Sequence, residues 1–251
     1  MTLVAAAVVP SPPALVPEVA AGAAGELAEV RAACLEAARR LLAAGPEEVV
    51  VVAPAPTTGW REQGERADLA AYGVDLSLHA SGPGPDRLPL GHVIGRWVLE
   101  RAGCTVPIAC LGVAADLGSG ACEALGAQAV AGHVRRAILC VGDGSARRGE
   151  ASPRWPDPRA VPYDDAIAAA IGEADIGPLR ALDVATAEDL VASGRAPWQV
   201  LAGAAAAAGS WRGTLLSAAA PYGVGYVVAS WTRLDAETMT PARGGDLGSG
   251  G

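Results

Sequence analysis

The stretch that decides the fold is EEVVVVA, at residues 47–53. Four consecutive valines precede Pro54 and form a short β-branched run, which is typical of a strand that is buried on both faces of a parallel sheet. Apolar runs that also predict strands occur at residues 3–9, 106–113 and 137–141, and an alternating run at residues 74–80. The chain therefore contains the strands of a sheet distributed along its length.

Helical periodicity separates several of these strands. Apolar residues spaced by three, four and seven predict a helix over residues 17–44, which ends at Gly45 and Pro46. Similar patterns predict helices over residues 90–102 and 120–131. Because strand, loop and helix repeat in this order, we predict an α/β fold: a single domain with a central, mostly parallel or mixed sheet flanked by helices.

The C-terminal part adds further elements. Helices are predicted at residues 164–171, 178–192 and 197–208, and strands that form a hairpin or lie side by side at residues 214–220 and 224–231. No linker of disordered composition divides the chain. We therefore assign residues 1–235 to one domain and expect residues 236–251 to form a flexible, Gly-rich tail.

Charge and cysteine content exclude several classes of protein. With 19 basic and 27 acidic residues the net charge is −8, and no basic stripe is present, which argues against nucleic acid as a partner. No stretch of 18 apolar residues without Pro, Gly or charge predicts a membrane span. The five cysteines form no C-x-x-C pair, so we expect free thiols and a cytoplasmic protein.

One turn carries most of the polar chemistry. Residues 142–148, GDGSARR, follow directly on a predicted buried strand, where glycines let a ligand approach the backbone closely. Asp143 and Ser145 offer an acceptor and a hydroxyl, and Arg147 could hold a carboxylate or phosphate. Tyr222, between the last two strands, could line the same pocket. The alternative is a tight turn in which Asp143 caps backbone N–H groups.

The three histidines form no metal-ligand pattern. His79, His92 and His133 lack a second histidine or a carboxylate at ligand spacing, and we expect each to be a surface or hydrogen-bonded core residue. Motifs for a nucleophile elbow, a P-loop and a zinc protease are also absent from the sequence.

Several segments taken in order resemble one known family. They are PSPP at residues 10–13, VPE at 16–18, VVVVAP at 49–54, GDGSA at 142–146 and APYGVGYVVASW at 220–231. Their order and spacing resemble the LigB superfamily, the catalytic chains of class III extradiol ring-cleavage dioxygenases, and most closely its small actinobacterial branch. The resemblance covers residues 3–232. It implies a single α/β domain and an oxidoreductase whose Fe(II) is held by two histidines and one glutamate, with a further histidine as acid or base.

The residues that this resemblance leads us to expect are replaced. The first iron-binding histidine would stand at Ser11, the second at about Ala55, the acid or base histidine at Ala146, and the glutamate near Ala219. Serine and alanine cannot replace imidazole and carboxylate ligands. We therefore expect no cofactor, and a degenerate or divergent member of the family that binds a small aromatic or anionic molecule.

Two alternatives stay open at this point. The chain could be an active extradiol-type oxidoreductase with a relocated metal site, built from the histidines and Asp143, or a metal-free enzyme. It could also be an accessory subunit, and it could assemble as a homo-oligomer. If the family alignment is right, Ser11, Ala55, Ala146 and Ala219 should line one pocket.

Overall fold

A seven-stranded mixed sheet runs through the centre of this computed structural model, which describes residues 3–62, 64–76, 78 and 83–234. Within those residues the strands are β1 (Leu3–Val9), β2 (Glu48–Pro54), β3 (Gly59–Trp60), β4 (Ile108–Val113), β5 (Arg136–Val141), β6 (Trp211–Ala219) and β7 (Tyr226–Arg233). Their order across the sheet is β3-β4-β2-β5-β1-β7-β6. The predicted α/β class with a mixed sheet is confirmed.

Strand direction brings the ends of most strands to one edge. Strands β1, β5, β2 and β4 pair in parallel, whereas β7 is antiparallel to β1 and β6 is antiparallel to β7. Two reversals restore the direction, so β6 ends at the same edge as β1, β2, β4 and β5. We call this the carboxyl edge, and in open α/β sheets it is the edge that binds ligands.

Helices cover both faces of the sheet. They are α1 (Pro17–Ala20), α2 (Ala28–Ala43), α3 (Leu90–Arg101), α4 (Ser119–Ala129), α5 (Ala160–Glu173), α6 (Ile176–Arg180), α7 (Val184–Asp189) and α8 (Arg195–Ala208). Helices α2 and α3 pack on one face, and α4, α5 and α8 on the other. No helix of the described residues is long and apolar enough to cross a membrane.

The four valines of β2 explain why helices cover both faces of the sheet. Val49 and Val51 lie in the core beneath α2 and α3, whereas Val50 and Val52 lie in the core beneath α8, and all four are fully buried. Since successive strand residues point to opposite faces, an unbroken apolar run needs an apolar layer on each side. The prediction of a doubly buried strand at residues 47–53 is confirmed.

Several predicted boundaries are wrong. The helix expected over residues 17–44 breaks after α1, where Ala21 has a φ of 46°, and resumes as α2. The helix expected over residues 178–192 is two short helices, because the Asp183 carboxylate accepts a hydrogen bond from the Thr186 N–H and so begins α7 anew. Residues 74–76 and 78 are not in a strand, and β3 was not expected. His79 and residues 236–251 lie outside the described residues.

Candidate functional site at the carboxyl edge

Ser11 and Asp143 meet at the centre of the carboxyl edge. Ser11 follows β1 and Asp143 follows β5, and these two strands are neighbours. The Ser11 N–H donates to Asp143 Oδ1 at 2.7 Å, and the Ser11 hydroxyl donates to Oδ2 at 3.0 Å. Burial raises the pKa of Asp143, although the two hydrogen bonds from Ser11 oppose that shift. The result is a partly buried carboxyl that accepts two hydrogen bonds from one residue.

The backbone around Asp143 is held on both sides. The Asp143 N–H donates to Ser193 Oγ at 3.0 Å, and the Asp143 carbonyl accepts from the Gly194 N–H at 2.8 Å. A Cβ at Gly142 would lie 2.5 Å from the Gly194 Cα, so the two glycines allow these segments to touch. This close approach fixes the direction in which the Asp143 side chain leaves the turn.

Ser145 has a structural position in the same turn. It is fully buried; its hydroxyl donates to the Leu190 carbonyl at 2.9 Å and accepts from the Arg147 N–H at 3.1 Å. The Ser145 N–H donates to Asp164 Oδ1 at 2.8 Å, and the other oxygen of Asp164 pairs with Arg148 at 3.3 Å. Burial raises the pKa of Asp164. Ser145 and Asp164 therefore hold the turn in place and do not face a ligand.

Arg147 is occupied by protein oxygens. Its Nε donates to the Trp155 carbonyl at 2.7 Å, its Nη1 donates to the Asp189 carbonyl at 2.7 Å, and the guanidinium lies 3.6 Å from the Asp157 carboxylate. It ties the loop after β5 to the end of α7. These contacts engage Nε and Nη1, so at least this part of the guanidinium has a structural role in the loop.

Two tyrosines flank Asp143 on the side of β7. Tyr226 is 4% exposed, and its pKa is raised by burial first and then by the charge of Asp143. Tyr222 is half-buried against the same core, and its hydroxyl bonds to Glu26, which contributes with burial to a raised pKa. Of the four candidate residues, Asp143 bonds to Ser11 and Tyr222 bonds to Glu26, whereas Ser145 and Arg147 make supporting contacts in the loop after β5.

The four positions where the family resemblance predicts iron and acid–base residues all follow strands of the carboxyl edge, but they are spread along it. Ala55 follows β2, and Ala219 is the last residue of β6. In the strand order these two strands are four steps apart, which is about 19 Å at about 4.8 Å per step. Ser11 lies between them, and the Ala146 N–H donates to the Leu190 carbonyl at 3.1 Å. The expectation that these four residues line one pocket is therefore wrong, because the strand order separates Ala55 from Ala219.

Two further polar groups are Arg61, which lies beside Ala55 at Gly112 and was not singled out from the sequence, and His92, which is close to Arg61. Arg61 lies over Gly112, where a Cβ would be 3.1 Å from its Nε, and that Nε is buried without a hydrogen-bond acceptor. His92, on the first turn of α3, is fully buried, and neither ring nitrogen makes a hydrogen bond of acceptable geometry. The expectation of a surface or hydrogen-bonded His92 is therefore wrong. The burial of His92 follows from its place in α3, where residues 91–99 are all buried.

Of the two described histidines, His92 is buried in α3 and His133 lies far from Asp143. Burial lowers the pKa of His92 to about 4; the charges of Arg61 and Arg96 add to this shift and the Leu111 backbone opposes it. His133 is exposed and precedes β5, so it lies at the opposite edge of the sheet from Asp143. No group of three His, Cys, Asp or Glu that could hold a metal ion occurs among the described residues.

The donors at the carboxyl edge do not fit a ferrous ion held by two imidazoles and a carboxylate. Ala55 and Ala219 carry no donor atom, and the Ser11 hydroxyl is already given to Asp143. What remains is one buried carboxyl, a serine and two tyrosines. One carboxyl without an imidazole beside it does not make the facial set of ligands that holds ferrous iron in this family.

Comparison with known proteins supports the fold alone. No protein-family model matches the chain, and no curated protein matches it in sequence. The crystal structure of an uncharacterized protein, JW3007, from Escherichia coli K12 is similar, with a TM-score of 0.52 at 12% sequence identity over 90% of this chain and 99% of that one. The likeness extends over nearly the whole α/β architecture.

Proposed function

We propose that this chain is a LigB-like protein, of the class III extradiol dioxygenase type, that lacks the family's iron site and binds a small aromatic molecule at the carboxyl edge. The observation that carries the proposal is the pair Ser11–Asp143. At the position where the resemblance places the first iron-binding histidine, a serine gives both of its donors to one carboxylate. The Ser11 hydroxyl therefore makes a hydrogen bond within the protein.

The charges favour a neutral aromatic ligand over an anionic one. Arg148 pairs with Asp164 and Asp165, and Arg147 donates to two backbone carbonyls through Nε and Nη1, so both guanidinium groups are engaged within the protein. Tyr222 supplies a partly exposed aromatic ring, and a phenolic hydroxyl of the ligand could hydrogen-bond to Asp143. Catechol is a probe with these properties.

We also propose that the protein is cytoplasmic. Cys34, Cys104, Cys110, Cys122 and Cys140 are all free thiols. Disulfides persist in oxidising compartments and are rare in the cytosol, so five unpaired cysteines favour the reducing one.

Anaerobic loading with Fe(II) followed by metal analysis tests the loss of the iron site. We expect less than stoichiometric iron and no yellow ring-opened product from catechol or protocatechuate. Stoichiometric iron together with turnover would overturn the proposal and establish the relocated metal site.

Binding of catechol, followed by tryptophan fluorescence, tests the second half of the proposal. We expect saturable binding that is weakened in Asp143→Asn and unchanged in Arg154→Gln, a control at an exposed arginine. Benzoate should bind more weakly than catechol. Equal weakening in both variants would contradict a ligand at Asp143.

A further inference from the structure

A cavity lies behind the Asp143 turn, on the side of α7 and α8. It encloses about 340 Å³ between the loop after β4, α7 and the first turn of α8. Its walls are mostly aliphatic and are formed by Val184, Ala187, Val191, Ala192 and Ala196, with Ser193 at one side. A volume of this size is at the lower end of the range for small-molecule sites, about 300–1,000 Å³.

The backbone of one wall residue is strained. Val191 has a φ of 54°, in the left-handed region, and its side chain is among the exposed large hydrophobic ones, at 42%. Its N–H donates to the Glu188 carbonyl at 3.0 Å and the Ala192 N–H donates to the Ala187 carbonyl at 2.8 Å, a helix end at which glycine is the usual residue. A β-branched residue there costs free energy, and such strain is concentrated at ligand sites.

Two carboxylates border the cavity without a cation. Asp116, after β4, and Glu188, on α7, line it from different elements, and neither has an ion-pair partner among the described residues. The one cation in the lining, Arg195, is buried and donates to the carbonyls of Ala115 and Leu117 and to Gln199. The lining therefore holds two exposed carboxylates against one buried guanidinium, an excess of one negative charge.

We propose that this cavity binds a small apolar molecule that carries a protonated amine. The aliphatic walls, with the strained Val191 among them, would cover the apolar part, and Asp116 and Glu188 would face the ammonium group. The Ser193 hydroxyl accepts a hydrogen bond from the Asp143 N–H and keeps its own proton to donate. The site is separate from the Asp143 carboxyl and does not depend on the function proposed above.

Three probes of one shape test the charge preference with the full chain. Benzylamine, benzyl alcohol and benzoate are titrated at low salt and followed by NMR shifts of the Val191 and Ser193 amides. We expect benzylamine to bind at least about threefold more tightly than benzyl alcohol, because two partly exposed ion pairs contribute, and benzoate to bind most weakly. Benzoate binding as tightly as benzylamine, or no saturable binding of any probe, would overturn the proposal.

Variants separate the charges from the walls. In the double variant Asp116→Asn, Glu188→Gln the preference for benzylamine over benzyl alcohol should disappear, whereas the control Glu29→Gln, Glu173→Gln, at exposed acids elsewhere, should keep it. Val191→Gly should raise the melting temperature and weaken both benzylamine and benzyl alcohol. Unchanged affinity in Val191→Gly, or an amine preference that survives the double variant, would contradict the site.

Discussion

Both hydrogen-bond donors of Ser11 point at a single carboxylate, that of Asp143, at 2.7 and 3.0 Å. The contact joins the segments that follow β1 and β5, which are 132 residues apart in the chain. This contact links the neighbouring strands β1 and β5 beyond their last backbone hydrogen bonds. The carboxyl edge therefore has a fixed polar centre before any ligand binds.

Removing the acceptor should cost more than removing the charge. We expect Asp143→Ala to lower the free energy of unfolding by about 1–3 kcal/mol, because it leaves the Ser11 N–H without an acceptor. Asp143→Asn should cost less, since its amide oxygen can still accept and it relieves the burial of a charge. Urea unfolding at pH 7 measures both. If the asparagine variant proved the less stable of the two, the account of this contact would be wrong.

His92 should make the protein sensitive to acid. Its pKa is about 4 in the folded chain against an ordinary value of 6.5, so the unfolded state binds more protons between these values. The contribution of neutral His92 to the free energy of unfolding is therefore complete above pH 6.5. As the pH falls towards 4, the free energy of unfolding decreases by on the order of 3 kcal/mol. The free energy of unfolding of the wild type should fall across this range as the pH is lowered, and that of His92→Leu should fall less.

The wild type has to be compared with the His92 variant because Asp143 and Asp164 change the stability with pH in the direction opposite to His92. Burial raises the pKa of both carboxyls, so they favour the folded state as the pH falls. His133→Gln, at an exposed position, should keep the wild-type profile. A wild-type profile in His92→Leu would exclude His92 as the source.

Arg147 should contribute to stability and not to anion binding. Replacing it with glutamine removes hydrogen bonds to the Trp155 and Asp189 carbonyls, and we expect a loss of about 1–2 kcal/mol. Arg154→Gln, at an exposed arginine, should change stability little. Thermal unfolding with and without benzoate measures both effects. A loss of benzoate binding confined to the Arg147 variant would restore the anion site expected from the sequence.

Gly225 should not tolerate a methyl group. A Cβ there would overlap the Asp164 carboxylate, which is fixed by the Ser145 N–H and Arg148, so Gly225→Ala should cost about 1–3 kcal/mol. Gly118→Ala is the matched control, because a Cβ at Gly118 meets nothing within 4 Å. Equal stability of the two variants in urea would show that Asp164 can move aside.

Local pattern was enough to predict the sheet but not its edges. The apolar runs at β1, β2 and β5 are unambiguous because each is buried on both faces, whereas β3 has two residues and carries no periodic signal. The break between α6 and α7 depends on the Asp183 cap, which an apolar count does not register. A helix boundary that depends on one hydrogen bond cannot be predicted from an apolar pattern, because such a pattern averages over many residues.

The candidate site shows the same division. Asp143 could be marked from its place after a buried strand, and Ser11 from the family resemblance. That the two bond to each other depends on β1 lying beside β5, a pairing between distant parts of the chain. The partners of Arg147 and the isolation of His92 likewise depend on which loops and helices pack together.

The sequence by itself determined the α/β class and the doubly buried strands. Only the tertiary structure decided the strand order, and with it that Ala55 and Ala219 lie four strands apart and that Asp143 meets Ser11. The physical reason is that burial patterns are local, because they follow from the identity of each residue and its neighbours. Distances between side chains are set by pairings that no local pattern encodes.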